Sequence, residues 1–113
     1  MPDEAFYCLH SDICKTLANA KRQMILGCLR DDELTVSDIQ RQTGIPQATL
    51  SQHLALLRTH GVVRARRDGS HMYYSITNHK IIQAFDLITE VMQDNLGEQK
   101  ETADAAASGP GAV

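Results

Sequence analysis

A mainly α-helical domain with one small β-hairpin is the fold class this chain predicts, and three observations predict it. Apolar residues recur at helical spacing in successive segments between Phe6 and His60. The pattern then changes to two short runs rich in β-branched and aromatic residues, on either side of Asp68-Gly69-Ser70. After Asn78 the helical period returns. A length of 113 residues suits a single core, since domains most often run to about 100–150 residues.

Phe6, Leu9, Ile13 and Leu17 form the apolar stripe of a first helix. Asn19 is a good N-cap for a second, in which Met24, Ile25, Cys28 and Leu29 repeat the spacing before the acidic turn Asp31-Asp32-Glu33. Thr35-Val36-Ser37-Asp38 has the form of a capping box, with Asp where Glu or Gln is usual. Gly44 suits the position just past a helix end, so a short third helix is expected over about 35–43. After Gly44-Ile45-Pro46, a fourth helix from Gln47 to His60 sets Leu50, Leu54 and Leu57 on one face, and Gly61 ends it. Val62 to Arg67 and Met72 to Thr77 are then the strands of a two-stranded wing. From Asn78 as its cap, a long fifth helix places Ile81, Ile82, Phe85, Ile88, Val91, Met92 and Leu96 at helical spacing. Residues 97–113 turn rich in Ala, Gly and Ser, and a disordered tail is expected there behind a folded domain over 1–96.

The third helix, its turn and the fourth form a helix-turn-helix, and the hairpin behind them makes it a winged helix-turn-helix. The first and fifth helices carry more apolar surface than a small core absorbs, so they are expected to pair two copies about a two-fold axis. The competing reading is that both stripes line the monomer core.

Lys and Arg number 11 against 14 Asp and Glu, a net charge of −3, with 42% hydrophobic and 22% charged residues. The charge is unevenly spread. Between residues 41 and 80, Arg41, Arg58, Arg64, Arg66, Arg67 and Lys80 face one acid, Asp68, so this window carries +5 and the rest −8. A basic middle in an acidic chain suits a protein that holds a polyanion on one face. No apolar run approaches the roughly 18–20 residues of a bilayer span, and the acidic start Met1-Pro2-Asp3-Glu4 is unlike a secretory signal, so a cytoplasmic protein is expected. Three cysteines make a poor disulfide framework. No Gly-rich phosphate loop, His-Glu metal motif or nucleophile elbow is present, so neither enzyme chemistry nor a cofactor is expected.

From about Cys14 to Leu96 the chain resembles the ArsR/SmtB family of bacterial winged-helix repressors. The likeness begins at Leu17-Ala18-Asn19-Ala20-Lys21-Arg22, where the family usually has proline in place of Ala20, and continues through Leu34-Thr35-Val36-Ser37-Asp38-Ile39. Its most specific part is Thr43-Gly44-Ile45-Pro46-Gln47-Ala48-Thr49-Leu50-Ser51-Gln52-His53-Leu54, and the wing from Gly61 to Ile76 follows in order. The resemblance implies a homodimeric repressor on a double-stranded operator, an inverted repeat, that leaves when an inducer binds.

Within that frame Gln47, Thr49, Ser51, Gln52 and His53 crowd the first turns of a recognition helix, where amides and hydroxyls face base edges and phosphates. Arg64, Arg66, Arg67 and His71 on the wing suit phosphates or a minor groove. A solvated surface is the plain alternative for all of them.

The family's metal sites are not matched. Where an arsenic-type site resembles Cys-Val-Cys this chain has Thr35-Val36-Ser37, and at the positions of a zinc-type site it has Asn78, Lys80, Val91 and Asp94, so no metal is expected. The candidates for sensing are Cys8, Cys14, His10 and Cys28. Cys8 and Cys14 are about 120° and 9 Å apart on a continuous helix, too far for one metal or one disulfide unless the segment around Cys8 unwinds or they pair across the dimer, whereas His10 and Cys14 share a face. Family members that sense oxidants pair a cysteine of the second helix with one of the fifth, which here has none. A thiol switch, a small-molecule inducer, a constitutive regulator and a winged-helix protein-interaction module all stay open.

Overall fold

The computed structural model describes the backbone of residues 2–108 and the side chains of residues 2–97. The chain divides after His79, and each unit is built by its own logic.

In the first unit, α1 (Glu4–Leu17) begins two residues before its apolar stripe, because the Asp3 carboxylate accepts the Phe6 amide at 3.1 Å. α2 (Ala20–Cys28) opens on Asn19, whose side-chain oxygen accepts the Arg22 amide at 3.1 Å. Its buried face is Ile25, Leu26 and Leu29, while Met24 stays 47% exposed. The face is thus turned one position from the expected one, with Leu26 inside in place of Met24. β1 (Leu34–Thr35) leads directly into α3 (Val36–Thr43), which the expected capping box starts. Thr35 Oγ1 accepts the Asp38 amide at 3.2 Å, and the Asp38 carboxylate accepts the Thr35 amide at 3.1 Å. α4 (Gln47–Thr59), β2 (Val63–Asp68) and β3 (His71–Ile76) complete the unit.

The sheet has three strands in the order β1-β3-β2, all antiparallel, where the sequence predicts two. A two-residue strand is too short to show a period, and Thr35 also serves as the cap of α3, so β1 has no separate signature in the sequence. In the hairpin Asp68 pairs with His71, leaving Gly69-Ser70 as a two-residue loop with Gly69 at φ 63°. The core gathers Ile25, Leu26, Leu29, Ile39, Ile45, Leu50, Leu54, Leu57, Val62, Val63 and Ile76, none more than 4% exposed. Burial of this set supplies the main driving force for the unit.

The second unit contains α5 (Lys80–Ser108). The helix passes Gly97, where the sequence predicts its end and the start of a tail. A single internal glycine costs only about 1 kcal/mol, and Glu98-Gln99-Lys100-Glu101 and the run Ala105-Ala106-Ala107 are strong helix formers. Residues 109–113 of that expected tail lie outside the described residues.

Candidate nucleic-acid interface

The turn between α3 and α4 is fixed from both sides. Gly44, at φ 74°, takes the left-handed conformation that closes α3, and its amide donates to Gln40 O at 2.7 Å. Thr43 Oγ1 donates to Ile39 O at 2.8 Å and accepts the Ile45 amide at 3.2 Å. Buried Ile45 pins the turn to the core, and Pro46 sets the backbone angle from which α4 begins.

Leu50, Leu54 and Leu57 bury one side of α4. The opposite side, exposed along its length, carries Gln47, Ala48, Ser51, Gln52, Ala55 and Arg58. Gln47, Ser51 and Gln52 are therefore brought together on one solvent-facing surface. Thr49 and His53 sit half-buried on its flank. Ala48 and Ala55 belong to the exposed face without having been singled out in the sequence, and Arg58, counted there only in the basic window, joins them; their signal was the spacing from the leucines.

His53 is engaged inside the protein. Arg22 Nη1 lies 3.4 Å from His53 Nδ1, while Arg22 Nε donates to Thr16 O at 2.6 Å and Nη2 to Lys15 O at 3.5 Å. One guanidinium thus ties the last turn of α1 to α4. An arginine only donates, so His53 Nδ1 must accept, which requires the neutral ring. Burial first, then the charges of Arg22 and Lys21, push the His53 imidazole below its ordinary value.

The wing arginines differ from one another. Arg64 Nη2 donates to Thr77 O at 3.1 Å, and Arg67, exposed on β2, has no side-chain partner among the described residues. Arg66 is held: Nε and Nη2 donate to the two carboxylate oxygens of Glu33 at 3.0 and 2.6 Å, and its guanidinium lies 5.1 Å from the Tyr73 ring centroid. The hydrogen bond from Arg66 holds the Glu33 carboxyl below its ordinary range. His71 is exposed near the hairpin turn, edge-on to Tyr73 at 6.3 Å.

A cleft of about 440 Å³ runs between the start of α3 and the end of the wing, lined among others by Thr35, Ser37, Asp38, Arg41 and His71. Thr35 and Ser37 present hydroxyls here and Arg41 pairs with Asp38, so these residues do not fit a thiophilic ion. Among the described residues no three His, Cys, Asp or Glu side chains gather to hold a metal.

Of the thiols, Cys8 and Cys14 are exposed on one unbroken helix, which keeps them on different faces. Cys14 Sγ lies 3.6 Å from His10 Nδ1, as their spacing predicts. Cys28 is half-buried, and burial pushes its thiol up.

Comparison with known proteins agrees with this architecture. A helix-turn-helix domain family matches residues 17–66. The chain is 39% identical over 83 residues to the HTH-type transcriptional regulator KmtR of Mycobacterium tuberculosis, a stretch covering 74% of this chain and 63% of KmtR. The crystal structure of M. tuberculosis Rv0081 superposes with a TM-score of 0.79 at 35% identity, over 86% of this chain and 98% of that one. The homodimeric winged helix-turn-helix DNA-binding domain Mb0332 of Mycobacterium bovis, described as a possible ArsR-family transcriptional regulator, matches in solution with a TM-score of 0.75 at 32% identity, over 87% and 93%.

Proposed function

The chain belongs to the ArsR/SmtB-type winged helix-turn-helix transcriptional regulators, and from that premise we propose that it is a cytoplasmic, homodimeric, sequence-specific DNA-binding repressor. The observation that carries this reading is the exposed face of α4. Its amides and hydroxyls stand opposite a fully buried leucine row, on a helix whose start is fixed by Gly44 and Ile45. Gln47, Ser51 and Gln52 meet base edges in the major groove, with the Ala48 and Ala55 methyls beside thymine methyls. Thr49, Arg58, Arg64, Arg67 and His71 meet phosphates and set register, and His53 acts by holding Arg22.

Two copies pair through the exposed stripes of α1 and α5. Phe6, Leu9 and Ile13 are 47%, 69% and 39% exposed, and Ile88, Val91, Met92 and Leu96 are each more than half exposed. A two-fold dimer matches an inverted repeat, and its occupation of a promoter blocks transcription.

For the inducer, the His10–Cys14 pair favours a thiol reaction over the other chemistries left open by the sequence. Cys14 is the exposed thiol with an imidazole beside it, at the edge of the α1 stripe. Attack of the Cys14 sulfur on hydrogen peroxide forms an S–O bond as the O–O bond breaks, and the leaving hydroxide takes the thiol proton, giving a sulfenic acid and water. A group added there is carried on the helix that pairs the two copies.

The test is selection of duplexes from a random pool by the reduced protein, repeated after mild peroxide treatment and with Cys14→Ser. An inverted repeat released by peroxide in the parent protein alone is the expected result. Release that persists in Cys14→Ser removes Cys14 from the reading. A pool that stays random removes the DNA-binding reading itself, in favour of a protein-interaction module.

A further inference from the structure

Arg66 has the composition of a phosphate contact and the surroundings of something else. Both carboxylate oxygens of Glu33 already accept from it, Asp68 Oδ2 is 3.8 Å from Nη1, and the guanidinium lies over Tyr73. The strand order explains why these groups meet. Arg66 on β2 is the partner of Tyr73 on β3, and Tyr73 in turn is the partner of Thr35 on β1. Glu33 immediately precedes β1, and its carboxylate reaches back over the sheet to Arg66. One fork-shaped pair therefore spans the central strand and joins β2 to the residue that leads into β1, over an aromatic ring.

We propose that Glu33 and Arg66 form a clasp that positions the wing for DNA, and that Arg66 is a positioning residue whose charge is spent on Glu33. This rests on the DNA-binding reading above and adds to it a division among the wing arginines: Arg67 meets phosphate, while Arg66 keeps the hairpin at the pitch that lets it. β1 is only two residues long, so few ladder bonds hold β3 to the turn behind α2. The bidentate pair adds a side-chain tether where the ladder is shortest. Without it the hairpin samples other pitches, and apparent affinity falls by the fraction of time lost from the bound one. An exposed ion pair biases such an equilibrium by no more than about fivefold.

The experiment measures binding of the protein to its selected duplex across a salt series, for the parent, Glu33→Gln, Arg66→Gln, their double variant, the exchanged pair and Arg67→Gln. All sites are exposed, so folding is retained, and circular dichroism checks it. Glu33→Gln and Arg66→Gln are each expected to weaken binding about threefold at every salt concentration, with the parent's salt slope. The double variant is expected to be no weaker than either single one, because both remove the same clasp. The exchanged pair, Glu33→Arg with Arg66→Glu, is expected to recover part of the loss. Arg67→Gln is expected to lower the slope by about one. A slope lowered by about one in Arg66→Gln, or tighter binding in Glu33→Gln, overturns the clasp while leaving DNA binding intact. A parent protein that binds no duplex overturns the DNA-binding reading, and the clasp with it.

Discussion

Gln52 is exposed on α4 and Arg67 is exposed on β2, where one can read a base edge and the other a phosphate, so truncating each should leave a different signature. Gln52→Ala should relax the base preference at one position of the site, whereas Arg67→Ala should weaken binding to every duplex alike. Binding of a panel of single-base variants separates the two; equal losses on all of them from both changes would count against the division. His53 makes a third case. Its neutral ring accepts from Arg22, so protonation sets two cations side by side. Because the folded pKa lies below the unfolded value near 6.5, the unfolded chain binds the proton more readily. This contribution to stability is therefore complete above about pH 6.5 and is lost as pH falls through the lowered value. NMR titration should find His53 titrating below the ordinary range, and Arg22→Ala should move it upward; an unmoved value would dissociate the pair. Glutamines and hydroxyls on a turn-capped helix were legible in sequence because local spacing sets their face. The partners of His53 and Arg66 were not, since they lie 31 and 33 residues away and only the tertiary fold brings them near.

The elements that aim α4 depend on backbone positions whose chemistry is local. Gly44 at φ 74° has open space where a methyl group would stand, so the cost of a side chain there is conformational and not steric crowding. Gly44→Ala should destabilise by about 1–2 kcal/mol, and Thr35→Ala, which removes the α3 cap, by about 1 kcal/mol. Leu54→Ala, which empties a fully packed site between α4 and the core, should cost about 2–5 kcal/mol. Urea unfolding of the three variants checks the ranking, and a Leu54→Ala loss no larger than that of Thr35→Ala would contradict the burial assigned to α4. The same locality explains what could be foreseen among the elements. Asn19, the Thr35–Asp38 box and Gly44 announce helix boundaries because each satisfies its own backbone. β1 and the length of α5 escape that logic: one is defined by its partner β3, and the other by the summed propensity of a stretch with no apolar period to mark it.

For the whole molecule, the apolar stripes and the basic window have to work together, because a winged monomer reads only half of an inverted repeat. Ile13→Glu places a charge in the middle of the α1 stripe and should convert the dimer to a monomer, with loss of cooperative binding to the repeat. Light scattering reads the mass directly, and a dimer that survives the change would move the interface away from α1. The acidic remainder of the chain repels the polyanion that the basic window attracts, so orientation on DNA follows from the charge pattern as well as from shape. The most direct measurement is a binding isotherm on a duplex selected from a random pool, taken across salt concentrations with the mass of the complex recorded at each. Two chains on one inverted repeat, with affinity falling steeply as salt rises, is the predicted result. Binding that ignores both sequence and salt would contradict the account.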